Sequence, residues 1–328
     1  MSENVASRVR ARAASAAVAT IWTQWSSLTA AAVPAGERRA WTIVDPEALV
    51  LASLAFQRSE RRLVDLAAGF GRAGGSLLSV TRMKRLVGLF PADARDSLSL
   101  VAAAAVEAGF KQWKVFAGGP PVGRADRRKD LGSLRLIEGS ALMLRLRAGF
   151  GLNGKADVLA YLLGVRAVAE VRAIAAALGY TKRTIRTAAD DLVLAEFIER
   201  VEGTPVGYRA DSAAWVSAFH VFRLEDTGAR MPAIPPWHYW AGVFSFLAAA
   251  ERWASMWIEA GWSDYVASSR ARDVASAHAS VIRHAEATPA QGAYVHGREF
   301  LEVFEHTVSR IAAWAERSVI GESSSAAS

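Results

Sequence analysis

Between Val171 and Leu192 the chain carries two short apolar stripes at helical spacing with only a tight turn between them. No other stretch limits the fold as much. Val171, Ile174, Ala175 and Leu178 fall at i, i+3, i+4 and i+7, one face of a helix predicted over Val168–Leu178. Gly179 follows at once, where a left-handed residue closes a helix and turns the chain. Thr181 is then placed to cap a second helix over Thr181–Ala195, its hydroxyl accepting from a free amide of the first turn. Ile185, Ala188, Ala189 and Leu192 form the inward stripe of that helix. An earlier helical pattern, Ala156–Leu163, offers Leu159, Leu162 and Leu163 to both stripes, which makes a helix-turn-helix arrangement. A hairpin is predicted next, Phe197–Glu202 with Gly207–Ala210, turned through Gly203, Thr204, Pro205 and Val206.

The outward residues of the third helix are Lys182, Arg183, Arg186, Thr187 and Asp190, with Thr181 and Thr184 beside them. Three cations in the first two turns sit at the positive end of the helix dipole, which is unfavourable for the helix alone and points to an anionic partner. In helix-turn-helix docking the N-terminal residues of the second motif helix enter the major groove. Arg and Lys pair there with guanine edges or phosphate, and Thr touches either a base or the backbone. Lys182, Arg183 and Arg186 are therefore assigned to the groove. Arg200 and Arg209 of the hairpin are assigned to the flanking phosphates.

The stretch VRAIAAALGYTKRTIRTAADDLVLAEFIERV, with the later GYRAD, resembles the winged helix-turn-helix regulators of bacteria. The resemblance is limited to residues 155–211. It implies a second helix as scaffold, a third as recognition helix, the hairpin as wing, and double-stranded DNA read by a dimer. One residue departs from the pattern. Such modules often carry Gly just before the wing strand, after a Leu-x-x-Ala run, and here Glu196 stands in that place. Because non-Gly residues adopt the left-handed conformation less readily, a differently built junction is expected.

A net charge of +7 and a pI near 10 favour polyanions, nucleic acid first and anionic membrane second. Much of the excess lies between Lys111 and Lys155, where Lys111, Lys114, Arg124, Arg127, Arg128, Lys129, Arg135, Arg145, Arg147 and Lys155 face only Asp126, Asp130 and Glu138. That segment reads as a basic approach to the helix-turn-helix, or as a basic loop without a partner. The chain is 52% apolar with ten prolines, which suits a mainly helical protein and excludes whole-chain disorder. It has no cysteine, which removes disulfides, thiol nucleophiles and thiolate metal sites and fits a cytoplasmic location.

The fold class expected is mainly α: a central winged helix-turn-helix with a two-stranded wing, flanked by N- and C-terminal helical domains. The divisions are residues 1–116 (helical), 117–154 (basic linker and a short helix), 155–211 (winged helix-turn-helix), 212–320 (Trp-rich helical) and 321–328 (disordered tail). Arg8, Arg10 and Arg12 precede an uncharged run from Ala13 to Gly36, but its polar interruptions favour an amphipathic opening helix, Ala6–Leu28, over a secretory leader. Asp45-Pro46-Glu47 is a helix start on three counts: cap, first-turn proline and dipole-favoured acid. Further helices are read over Arg61–Ala68, Thr81–Leu89, Ala94–Ala108, Ser212–Leu224 (with Trp215, Phe219 and Phe222), Trp237–Ala260, Ser263–Ala285 and Gly297–Val319. Ser140–Arg147 reads as a short helix whose alternating leucines also fit a strand. Pro232–Pro236 is a stiff connector, and the apolar run after it is too short to span a bilayer, so no membrane is expected.

No constellation argues for an enzyme. Gly69-Phe-Gly71-Arg-Ala-Gly74 matches G-x-G-x-x-G, but no βαβ unit surrounds it, and it reads as a loop with no dinucleotide cofactor. His220, His238, His278, His284, His296 and His306 show no compact metal spacing. His238, within Trp237-His-Tyr-Trp240, could line a ligand pocket, though aromatics at such spacing are more often core or a dimer face. The reading is a sequence-specific duplex-DNA-binding transcriptional regulator. The alternative is an antitoxin-like or other protein-interaction module, which calls for an exposed aromatic patch over Trp237–Trp262.

Overall fold

Alanines dominate the inward face of the first helix, α1 (Val5–Leu28), where Val9, Ala13, Ala16, Ala17 and Ile21 are buried. Small side chains let helix axes approach closely, and α1 packs against both α11 (Trp240–Ala260) and α14 (Gly297–Ile320). Two bidentate pairs tie the ends of the chain together: Arg8 to Glu305 at 2.6 and 2.7 Å, and Arg12 to Glu316 at 2.8 and 2.7 Å. Part-exposed pairs contribute about 0–1 kcal/mol each, so the apolar interface dominates. This computed structural model describes residues 5–29, 39–118, 134–220, 234–285 and 297–321.

Helix α2 (Pro46–Ala55) starts as its sequence requires. Asp45 accepts from the Ala48 amide at 3.1 Å and Pro46 takes the first turn. Every residue from Pro46 to Leu54 is buried, as expected of a helix apolar all round. Around it lie α3 (Arg62–Gly74), α4 (Val80–Leu86), α5 (Ala92–Glu107) and α11. These helices, with α1, α12 (Asp264–Ala277), α13 (Ala279–His284) and α14, contribute to one hydrophobic core, so the first and last helical regions of the chain share an interior.

A second core is built by α6 (Leu142–Phe150), α7 (Lys155–Val165), α8 (Val171–Leu178), α9 (Lys182–Leu194) and a small sheet, closed by Ile43, Ile234 and Trp237. The sheet has three strands in the order β1-β3-β2, all antiparallel: β1 (Ala169–Glu170), β2 (Glu199–Val201) and β3 (Gly207–Arg209). Helix α10 (Ser212–His220) leaves the sheet and packs Trp215 and Phe219 beside Phe150 and Phe197. The molecule is thus mainly helical, with one small antiparallel sheet.

Several expectations change. The G-x-G-x-x-G residues lie inside α3 and not in a loop. A Cβ on Gly71 would come within 2.7 Å of the Val101 carbonyl oxygen of α5, so the glycine serves close helix packing. The helix predicted from Val168 starts at Val171, because Ala169 and Glu170 pair with Tyr208 and Gly207 as a third strand. Ser140–Arg147 is helical, and the Ser263–Ala285 pattern divides at His278, whose ring Nδ1 contacts the Val274 carbonyl at 2.9 Å. Arg147 belongs to the interior and not to a basic surface. Arg124, Arg127, Arg128, Lys129, Phe222, Pro232, His296 and the tail 322–328 lie outside the described residues. Among the described residues no helix is long and apolar enough to cross a membrane.

Candidate nucleic-acid interface

The two apolar stripes meet as their spacing requires. Ile174, Ala175 and Leu178 of α8 and Ile185, Ala188, Ala189 and Leu192 of α9 are buried against Leu159, Leu162 and Leu163 of α7. Gly179 has φ 68 and the Tyr180 amide donates to Ala175 at 3.2 Å, closing α8 and turning the chain. The Thr181 hydroxyl accepts from the Thr184 amide at 3.0 Å. At the far end of α9, Glu196 takes φ 58, the left-handed conformation usually given to glycine. Its amide donates to Val193 and that of Phe197 to Leu192, both at 2.9 Å, the two bonds of a Schellman ending. The junction is therefore built in the usual way despite the missing glycine.

Strand pairing sorts the wing. Arg200 lies directly opposite Tyr208, and Glu199 opposite Arg209. Side chains alternate between the faces of a strand, so Arg200 and Tyr208 share one face while Glu199 and Arg209 share the other. The Tyr208 hydroxyl donates to Asp190 at 2.9 Å, so its face is the one turned to α9. Burial and that bond raise the Tyr208 pKa, while nearby Arg200 and Arg186 lower it. Arg209 is on the opposite face, engaged with Glu199 at 2.6 Å. The structure thus brings Arg200 to α9 and takes Arg209 away from it.

Helical phase divides α9 in the same manner. Lys182 and Arg186, four residues apart, lie on the flank toward the wing, and Arg183 and Thr187 form the exposed outer ridge. Thr184 is half-buried, and its hydroxyl is 2.7 Å from that of Thr181, so both threonines are occupied by the cap. Between α9, the start of α8 and the wing runs a cleft of about 500 Å³ lined by Arg172, Lys182, Arg186 and Arg200, with Glu170, Asp190, Pro205, Val206 and Tyr208. Among the described residues Arg172, Lys182, Arg183 and Arg186 make no ion pair, whereas Arg200 lies 3.2 Å from Glu202. Arg172 was not marked by sequence reasoning. It sits in the scaffold helix, and its nearness to the wing follows only from the pairing of β1 with β3.

Behind the motif lies a charge network that local reading also missed. Arg82 of α4 binds Asp45 and Glu47, and Arg147 of α6 binds Glu47 at 2.7 and 3.0 Å and Asp157 at 2.7 and 2.9 Å. All five side chains are no more than 2% exposed. The Tyr180 hydroxyl donates to Asp157 at 2.8 Å, and Arg82 Nε donates to the carbonyl of Leu178, the last residue of α8, at 2.6 Å. The turn between α8 and α9 is thereby held from the N-terminal helices. Three carboxylates face two guanidiniums, and the extra negative charge sits at the N-terminal ends of α2 and α7, where helix dipoles favour it. Burial pulls the Arg82 pKa down, but Asp45 and Glu47 outweigh it and the net shift is upward. For Asp157, burial acts upward, and Arg147 together with Arg82 and the Tyr180 hydroxyl more than offsets it, leaving the carboxyl below its ordinary value.

The tryptophans of the C-terminal region turn inward. Trp237, Trp240, Trp253 and Trp257 are buried. The indole nitrogens of Trp240, Trp253 and Trp257 donate to Thr42 Oγ1, the Ala267 carbonyl and the Trp262 carbonyl at 3.0, 3.0 and 2.8 Å. His238 lies half-buried edge-on to Trp240 and Trp314, with ring centroids 5.7 and 5.1 Å away. Among the described residues no group of three His, Asp or Glu is arranged to hold a metal ion. No protein-family model matches the chain, and neither a curated protein nor a solved structure does.

Proposed function

We propose that the protein binds double-stranded DNA with sequence preference through α9 and its wing, and acts as a transcriptional regulator. The observation that carries this reading is the set of exposed cations, without a carboxylate partner among the described residues, on the helix that follows the turn. Lys182, Arg183 and Arg186 crowd the N-terminal turns of α9, where the dipole opposes them. A negatively charged partner removes that penalty, and an α-helix fits the major groove of B-form DNA. A dimer would read a two-fold site with two such helices. The protein-interaction alternative calls for an exposed aromatic patch on Trp237–Trp262, and the four tryptophans from Trp237 to Trp257 are instead core residues.

The test is binding of the purified protein to the DNA upstream of its own coding sequence and to a scrambled duplex of equal length, over a salt series. The reading expects a steep fall of affinity with salt and tighter binding to the upstream duplex. Equal weak binding to both duplexes, or none at physiological salt, overturns it.

A further inference from the structure

The cleft beside the recognition helix collects cations from three separate elements. Arg172 comes from the first turn of α8, Lys182 and Arg186 from α9, and Arg200 from β2. Among the described residues two carboxylates line it, and Glu202 lies 3.2 Å from Arg200. Asp190 is engaged by the Tyr208 hydroxyl at 2.9 Å, which leaves Glu170 as the other acid there. The wing wall is Pro205 and Val206, which supply no side-chain hydrogen-bonding group. A base-pair edge is flat, so the side chains that read it approach in its plane. A phosphodiester is a compact anion that accepts bonds from several directions. One guanidinium can lie in the plane of a guanine edge, but guanidiniums and an ammonium converging from three elements suit a compact anion met from several sides.

We propose that this cleft seats the sugar-phosphate backbone of one strand, with Arg172, Lys182, Arg186 and Arg200 as its clamp, and that base reading falls to Arg183 and Thr187 on the outer ridge of α9. The assignment rests on the DNA-binding reading above. It moves Lys182 and Arg186 from base contact to backbone contact and adds Arg172. Lys182 and Arg186 stand on the wing-facing flank of α9, whereas Arg183 and Thr187 are exposed on the side away from its buried stripe. Backbone contacts set affinity and its salt dependence, while contacts to base edges set the preference for one sequence.

The experiment compares Arg172→Ala, Arg186→Ala and Arg183→Ala with wild type on the upstream and scrambled duplexes across the same salt series. These side chains are exposed, so an unchanged melting temperature checks that each variant folds. The clamp expects Arg172→Ala and Arg186→Ala each to weaken both duplexes by the same factor, roughly 3–10-fold. Each should also lower the salt slope by about one. Arg183→Ala should reduce the ratio of upstream to scrambled affinity by about tenfold or more. If wild type prefers the upstream duplex and Arg186→Ala abolishes that preference, or Arg172→Ala binds like wild type, the clamp is overturned while the DNA-binding reading stands. If wild type binds neither duplex, both fall together.

Discussion

Replacing Arg82 with Met removes a side chain of α4 that joins the start of α2 to the end of α8. Arg82 is fully buried and donates to Asp45 at 2.8 Å and to the Leu178 carbonyl at 2.6 Å, with further short bonds to Asp45 and Glu47. Met fills much of the same volume, so the loss is electrostatic rather than a cavity. Glu47 and Asp157 would keep Arg147, while Asp45 would lose the guanidinium it is bonded to. Removing one partner of a buried ion pair costs about 3–5 kcal/mol, because the remaining charge stays desolvated and unpaired. For a chain of this size each kcal/mol lowers the melting temperature by about 1.5 °C, so the expected fall is roughly 4–8 °C. Thermal unfolding by circular dichroism measures it. Hydrogen exchange adds a local readout: the amides around Gly179 and Tyr180 should lose protection more than those of α14. Adding Asp45→Asn to Arg82→Met should recover part of the loss by lowering the excess negative charge. A melting temperature within about 1 °C of wild type would refute the reasoning, since it would mean that water already screens these charges.

Two further outcomes follow from the same geometry. The Asp157 carboxyl is held below its ordinary value, so its stabilising contribution is complete above the unfolded pKa of about 3.9 and is lost as pH falls through the folded one. The stability gap between wild type and Asp157→Asn should therefore be constant above about pH 5 and close in more acidic solution; a gap that widens toward low pH would contradict the sign. Glu196→Gly should stabilise by about 0.5–1 kcal/mol. It relieves about 1–2 kcal/mol of left-handed strain and gives back part of that in unfolded-chain entropy. A loss of stability in denaturant titration would show that the Glu196 side chain makes a contact worth more than the strain.

Helices α8 and α9 and the turn between them were legible because their signals are local. Ile174, Leu178, Gly179, Thr181, Ile185 and Leu192 lie within a few turns of one another, and each acts through backbone geometry or helical phase. Asp45 and Pro46 were legible for the same reason, since a cap is satisfied by an amide three residues away. Arg147 shows the opposite case. From its neighbours it is one more cation in a basic stretch, yet it is bonded to Glu47, 100 residues earlier in the chain. Arg82 meets the Leu178 carbonyl across 96 residues, and no spacing rule links such positions.

The same limit governed the candidate interface. Sequence by itself determined which α9 residues point away from the core, because a 3.6-residue period divides Lys182, Arg183, Arg186 and Thr187 from Ile185, Ala188 and Ala189. It also placed cations in the wing. It could not say that Arg200 would face α9 while Arg209 faced away, because a strand alternates every residue and one step of register exchanges its faces. Pairing of Arg200 with Tyr208 settled that, and the short strand at Ala169–Glu170 brought Arg172 beside them. Tertiary structure also decided that the tryptophans of α11, whose spacing fitted either a core or a dimer face, are core, since α1, α12 and α14 pack around them. Local sequence set the helices and their outward charges. Only the long-range packing of the chain, in which distant residues share buried volume and charge, determined which of those charges meet.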